Sequence, residues 1–261
     1  MNSNAEPLEP PGMDPRAVSI NPPARIFYMI LRILSMDFTN EIMAAFPGIC
    51  VAGGDVRSVH ITRLDPRLEA LKQEIVGEIS VRYTLERIKD EPLFRAYRDF
   101  FWSVGLDPTR TRPASEALVR RILSGGRLPV INTAVDAYNL ASVRSGIPIA
   151  AFDADMLQGP LAMRFAAEGE QFRGIGMEKP VVLSKNQVIL TAANQIIAIY
   201  PYRDSEATKV TPDTKNIRLL TCGVPKVPRE TVISAYGMCA GFLENFTSGV
   251  ASACRLFPPG P

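Results

Sequence analysis

A single histidine and four scattered cysteines leave this 261-residue chain poor in the groups most hydrolases use. Cys50, Cys222, Cys239 and Cys254 form no C-x-x-C pair, whereas a structural zinc site needs about four Cys or His ligands at close spacing. No metal site is expected. The cysteines read instead as small buried apolar residues of a reducing compartment. The histidine, His60, lies in the alternating run Val56-Arg-Ser-Val-His-Ile61, so a strand position suits it better than a catalytic role. There is no G-x-S-x-G elbow, no G-x-x-x-x-G-K-[ST] phosphate loop and no G-x-G-x-x-G after a strand. Gly174-Ile-Gly176 leads into Met-Glu-Lys-Pro and reads as a turn. Ordinary histidine-based or metal-based hydrolysis is therefore excluded, and no cofactor is expected. A hydrolase made from this chain has to hold water in place and polarise its substrate.

An excess of one charge is lacking too. Lys and Arg number 29 against 27 Asp and Glu, a net charge of +2. A protein that holds many phosphates carries more. The balance fits contact with a short stretch of nucleic acid, and equally an ordinary cytosolic enzyme. No long apolar run is present: Ile26–Leu34 is broken by Arg32 and falls far short of the ~20 residues of a membrane span. No membrane contact and a cytoplasmic location are expected. The first 25 residues are rich in Pro, Asn, Ser and Glu. Residues 1–35 are therefore expected to form a disordered extension, residues 36–254 a single domain, and residues 255–261 a disordered tail.

What is present is an order of elements. Residues 36–61 suggest short strands around one helical turn, broken at Pro47-Gly48 and Gly53-Gly54. Apolar spacing predicts helices over Pro66–Ile88, with Asp65 as cap, and over Pro92–Val104. A third is expected from Ser115, its N-cap, to Leu123, and a fourth from Asn132 to Ser145, stopped by Gly146. Six short β-prone runs follow between Ile149 and Gly223, then a helix from Pro228 to about Phe246. Helices first and strands later imply an α+β class, with a mixed or antiparallel sheet and flanking helices.

One helix is chemically unusual. Asn132, Asp136 and Asn139 share a face at helical spacing, with Thr133 beside it. Such residues are modest helix formers, so gathering them implies a buried hydrogen-bond network or a ligand surface. Arg110, Arg112, Arg120 and Arg121 lie just ahead. Their guanidinium groups suit phosphate contacts; ion pairs with Asp99, Asp107 or Glu116 would equally account for them.

The ordered motifs carry a resemblance. Gly105-Leu-Asp-Pro-Thr-Arg-Thr-Arg-Pro113, Arg120-Arg-Ile-Leu123, Asn132-Thr-Ala-Val-Asp-Ala-Tyr-Asn139, Gly146-Ile-Pro-Ile149, Ala151-Phe-Asp153, Ala166-Ala-Glu-Gly-Glu170 and Thr214-Lys-Asn-Ile217 follow one another. This order resembles the B3/B4 tRNA-editing domain of the phenylalanyl-tRNA synthetase beta subunit, over roughly residues 66–224. The resemblance implies a domain that binds the aminoacylated 3′ end of a tRNA and hydrolyses a wrongly attached amino acid. Here it would stand alone and act in trans. A non-catalytic module that binds a tRNA end or an amino acid is the alternative.

Carried over by the resemblance, Asn139 is the pocket asparagine, and Asp136 joins it as a catalytic residue. Asn132 and Thr133 are expected to contact substrate, and Arg110, Arg112, Arg120 and Arg121 to contact tRNA. Three pocket positions depart from the family. Tyr138 stands for a threonine and Ala150 for a histidine. Leu220, or Thr221 if the alignment shifts by one, replaces the glutamate that recognises a tyrosine hydroxyl. Losing a buried carboxylate removes discrimination for a hydroxyl, so a small or apolar amino acid is expected in place of tyrosine. Tyr200-Pro-Tyr-Arg-Asp-Ser205 replaces a glycine-rich stretch; Arg203, Asp204, Ser205 and Thr208 are expected to supply new polar contacts at the same pocket wall, unless the segment forms a structural turn.

Overall fold

The computed structural model describes residues 35–259. Apart from Ser35, the expected N-terminal extension lies outside the described residues. The first half holds β1 (Met36–Phe38), α1 (Asn40–Ala45), β2 (Cys50–Arg57), α2 (Pro66–Arg82), α3 (Pro92–Ser103), α4 (Ala114–Leu123) and α5 (Thr133–Ser145). The second holds β3 (Ile149–Asp153), β4 (Leu161–Phe165), β5 (Gln171–Phe172), β6 (Val181–Val182), β7 (Val188–Ala192), β8 (Gln195–Ile199), β9 (Arg203–Asp204), β10 (Asn216–Gly223), α6 (Arg229–Thr247), β11 (Val250–Ala251) and β12 (Arg255–Phe257). The class is α+β, as the sequence implied. Among the described residues no helix is long and apolar enough to cross a membrane.

Local chemistry explains most of the boundaries. The Asp65 side chain accepts from the Arg67 N–H at 2.8 Å, and Pro66 opens the first turn of α2. Asn132 caps α5 by accepting from the Val135 N–H at 2.9 Å, and Gly146, at φ +73°, ends it. Helix α2 ends at Arg82, short of the expected Ile88, and further expectations need correction. Ser115 does not cap α4: Pro113 holds the cap position, and Ser115 lies fully buried inside the helix with its hydroxyl unbonded. The proline's fixed φ starts the helix early. Gly53-Gly54 does not break the chain but lies within the eight residues of β2. A Cβ on Gly53 would come 2.5 Å from Leu220 Cδ2, and one on Gly54 2.3 Å from the Tyr236 hydroxyl. The glycines therefore serve close approach, not turning. Lastly, the run to Ile61 leaves the strand after Arg57, because Ser58 adopts φ +55°; His60 is exposed beyond it.

Residues 255–257, expected to belong to a disordered tail, pair as β12 with β2. Leu256 and Phe257 are partly buried against the main core, which draws this segment onto the sheet.

Two sheets organise the core. One runs β1-β4-β7-β8-β9, with β1 parallel to β4 and the other pairs antiparallel. The other runs β11-β2-β10-β3, with β12 also on β2, and is antiparallel throughout. Helix α6 covers one face of this second sheet. There the Thr221 hydroxyl donates to the Val232 carbonyl at 2.9 Å, and Tyr236 donates to the Ser252 carbonyl at 3.1 Å. Two buried tyrosines anchor the end of β10: Tyr97 donates to the Cys222 carbonyl at 2.6 Å and Tyr200 to the Gly223 carbonyl at 2.7 Å. The sheets meet edge to edge. Strand β3 ends the second sheet and β9 ends the first, and the Ala151 N–H donates to Asp204 Oδ2 across the junction at 3.4 Å.

Candidate functional site

The polar helix face divides between two tasks. Its N-terminal half serves the fold. Asn132 is spent on the cap. Thr133 exchanges two bonds with Thr62: its hydroxyl accepts from the Thr62 N–H at 3.1 Å, and its own N–H donates to the Thr62 carbonyl at 2.9 Å. Asp136 is buried, accepting from the Ile131 N–H at 3.0 Å and facing Lys72 Nζ at 3.4 Å. Burial lifts its carboxyl above the usual range, and the Ile131 N–H and the Lys72 ammonium only partly offset this. The next turn serves a cavity, lined by Tyr138 and Asn139.

This cavity of about 250 Å³ sits where the two sheets meet. Helix α5 gives one wall. Ile149 and Ala150 give the rim of β3, and Leu190, Ala198 and Ile199 an apolar floor from β7 and β8. Tyr202, Arg203 and Asp204 close it from β9 and its approach, and Cys222 reaches in from β10.

Asp204 is the chemical oddity of this wall. Among the described residues its carboxylate accepts one hydrogen bond, the 3.4 Å contact from Ala151, and makes no ion pair. The neighbouring Arg203 turns away, donating to the Ile175 carbonyl at 2.8 Å and lying over the Tyr202 ring at 5.1 Å. Burial raises the Asp204 carboxyl to about 7, and the Ala151 N–H only partly opposes the rise. Burial and the Asp204 charge together push the Tyr138 hydroxyl and the Cys222 thiol upward, so both stay neutral. Near neutral pH, Asp204 is thus the lining group placed to change charge.

Of the residues expected at a pocket, the structure gathers Asn139, Tyr138, Ala150, Arg203 and Asp204. Others fall elsewhere. Ser205 folds back to accept from the Ala207 N–H at 3.2 Å, and Thr208 is buried. Leu220 occupies the space over Gly53. Thr221 points to the opposite face of the sheet, bonding the Ala52 and Val232 carbonyls. Cys222, two residues beyond Leu220 and hence on its face, is the β10 residue that lines the cavity. The alternation of the strand was the available signal for it. Tyr202 and the apolar floor were missed because no motif marks them.

The arginines divide as well. Arg120 is held by the fully buried Glu116 at 2.7 Å, which Arg98 also contacts at 3.0 Å. Arg121 is exposed and donates to the Arg127 carbonyl at 2.6 Å. Arg110 is exposed, 3.8 Å from Asp107. Arg112 is exposed two residues ahead of Ala114, itself on the cavity rim.

A family model described as the B3/4 domain matches residues 96–233, a span that contains the whole cavity. The phenylalanine–tRNA ligase beta subunit of Gloeobacter violaceus is 36% identical over 116 residues, covering 44% of this chain and 14% of that protein. The corresponding subunit of Synechococcus is 30% identical over 165 residues, covering 60% and 18%. The chain thus spans less than a fifth of these relatives. An N-terminal fragment of the phenylalanyl-tRNA synthetase beta subunit from Pyrococcus horikoshii aligns with 86% of this chain and 54% of its own, at TM-score 0.46 and 14% identity.

Proposed function

The chain belongs to the B3/4 domain family, and on that basis we propose that it removes a mischarged amino acid from the 3′ end of a tRNA, acting in trans in the cytoplasm. The observation that carries this reading is the cavity itself. It holds Asn139 and Asp204 on otherwise largely apolar walls, inside the segment that matches the family.

An aminoacyl ester is already activated, so its hydrolysis needs a held water and a donor for the developing oxyanion. In this reading the Asn139 side-chain amide donates to the ester oxygen. The cavity admits the aminoacyl group alone, and the ribose and phosphates stay outside, where Arg110, Arg112 and Arg121 are exposed to meet them. Asp136 and Arg120 act as positioning residues: Asp136 fixes the start of α5 against Lys72, and Arg120 fixes α4 through Glu116. Asn132 and Thr133 complete the same anchorage.

With Leu220 outside the cavity and Ala150, Leu190 and Ala198 on its walls, the pocket suits a small or apolar side chain. A strict preference for tyrosine is not expected, since among the described residues no glutamate lines the cavity to bond its hydroxyl.

A second reading is a non-catalytic module that binds a tRNA end or an amino acid. The observation in its favour is Tyr138, whose bulky ring stands at the wall of the cavity. Deacylation of a panel of mischarged tRNAs separates the two: specific release supports the enzyme, and binding without release supports the module.

A further inference from the structure

We propose that Asp204 anchors the α-ammonium group of the bound aminoacyl moiety, so that the cavity takes ligands with a free amine and rejects N-acylated ones. This rests on the reading that the cavity receives an aminoacyl group.

The geometry lacks one component, a cation. Asp204 is half-buried, and a carboxylate drawn even partly out of water ordinarily finds a positive partner, because desolvation without one is unfavourable. Among the described residues Asp204 makes no ion pair, and the single hydrogen bond to its carboxylate, from Ala151, reaches Oδ2 and leaves Oδ1 unused. Arg203 is adjacent in sequence and could have served, but its guanidinium is committed to the Ile175 carbonyl and the Tyr202 ring. Among the described residues no other cationic residue lines the cavity. The titratable groups facing Asp204 from the neighbouring elements are Tyr138 on α5 and Cys222 on β10, both neutral and neither able to compensate a negative charge.

The size of the cavity narrows the choice of cation. About 250 Å³ is smaller than typical drug-sized sites. It holds one small organic group and not a nucleotide. An aminoacyl moiety brings a single ammonium group, a carbonyl suited to Asn139 and a side chain suited to the apolar floor. These three features match the three kinds of wall. An N-acyl group replaces the ammonium with a neutral amide. It would leave the half-buried Asp204 without a cation, so that the carboxyl must either keep an uncompensated charge or take up a proton, which is a basis for rejection.

The test uses non-hydrolysable ligands and the full chain. A set of 3′-aminoacylamido-3′-deoxyadenosines with small and apolar side chains is compared with their N-acetyl forms by calorimetry. The free-amine forms are expected to bind at least about tenfold tighter, as a charge-assisted bond contributes. That preference should vanish in Asp204→Asn, while Asn139→Ala weakens both forms alike. Equal affinity for free-amine and N-acetyl ligands in the wild type overturns the assignment of Asp204 but leaves the aminoacyl reading standing. No binding of any member overturns both. Because the ligand pair is measured on the wild type, the answer does not depend on the variant folding.

Discussion

The Ala151 amide donates to the Asp204 carboxylate across 3.4 Å, joining the edge of one sheet to the edge of the other. Antiparallel pairing turns alternate main-chain groups of an edge strand outward, and on β3 one of these finds a side chain of β9. The contact lies beside the cavity, and it holds a carboxylate where no cation of the described residues relieves it.

That arrangement has a consequence for stability. The folded Asp204 carboxyl titrates near 7, against about 3.9 in an unfolded chain. Between these values the folded state keeps a proton that the unfolded chain has released. Stability therefore falls as pH rises through this window and stays lowered above it. Asp204→Asn removes the charge but keeps an acceptor for Ala151. The variant is expected to match the wild type near pH 4 and to exceed it at pH 8 by an amount on the order of a few kcal/mol. Urea unfolding at both values measures this; an equal difference at the two pH values would contradict the burial assigned to Asp204.

Asp136 and Asn139 should separate cleanly. Asp136→Ala strips the Ile131 N–H and Lys72 of a buried partner and is expected to destabilise the fold by roughly 2–4 kcal/mol. Asn139 lines open space; its alanine variant should change stability by less than about 1 kcal/mol. Thermal melts of the two variants check the contrast.

The arginines divide in the same way. Arg120→Ala leaves the buried Glu116 with Arg98 alone and is expected to lower stability by about 1–3 kcal/mol. Arg110→Ala and Arg112→Ala should leave the melting temperature unchanged. Each should weaken tRNA binding and reduce its salt slope by about 0.7–0.9 if it meets a phosphate. Filter binding over a salt series reads both effects.

Gly54 tests the packing of β2 under α6. A methyl group there would meet the Tyr236 hydroxyl at 2.3 Å and Ser252 Oγ at 2.6 Å. Gly54→Ala is expected to destabilise by about 1–3 kcal/mol, measurable by urea unfolding.

Much of this fold could be read locally. Asp65-Pro66, Asn132 and Gly146 set helix limits through short-range bonds and backbone preference, and these limits stand. The α+β order of elements was likewise visible as a change of hydrophobic period. The site was harder, because it depends on contacts between distant segments. Spacing alone put Asn132, Asp136 and Asn139 on one face, but Lys72, more than sixty residues away, claims Asp136 for the fold. Nothing near Gly53-Gly54 in sequence reveals that Leu220 and Tyr236 fill the space above them. Asp204 could be named as a polar residue near a pocket wall; its lack of a cationic partner among the described residues follows only from the meeting of β9 with β3.

Deacylation of a panel of mischarged tRNAs, with Asn139→Ala beside the wild type, tests the central claim most directly. The account predicts release of a small or apolar amino acid from its tRNA, slowed about 10²–10³-fold in the variant, the usual effect of removing one oxyanion donor. Tight binding of the charged tRNAs with no release of any amino acid would contradict it, and would leave the chain as a module that holds the tRNA end.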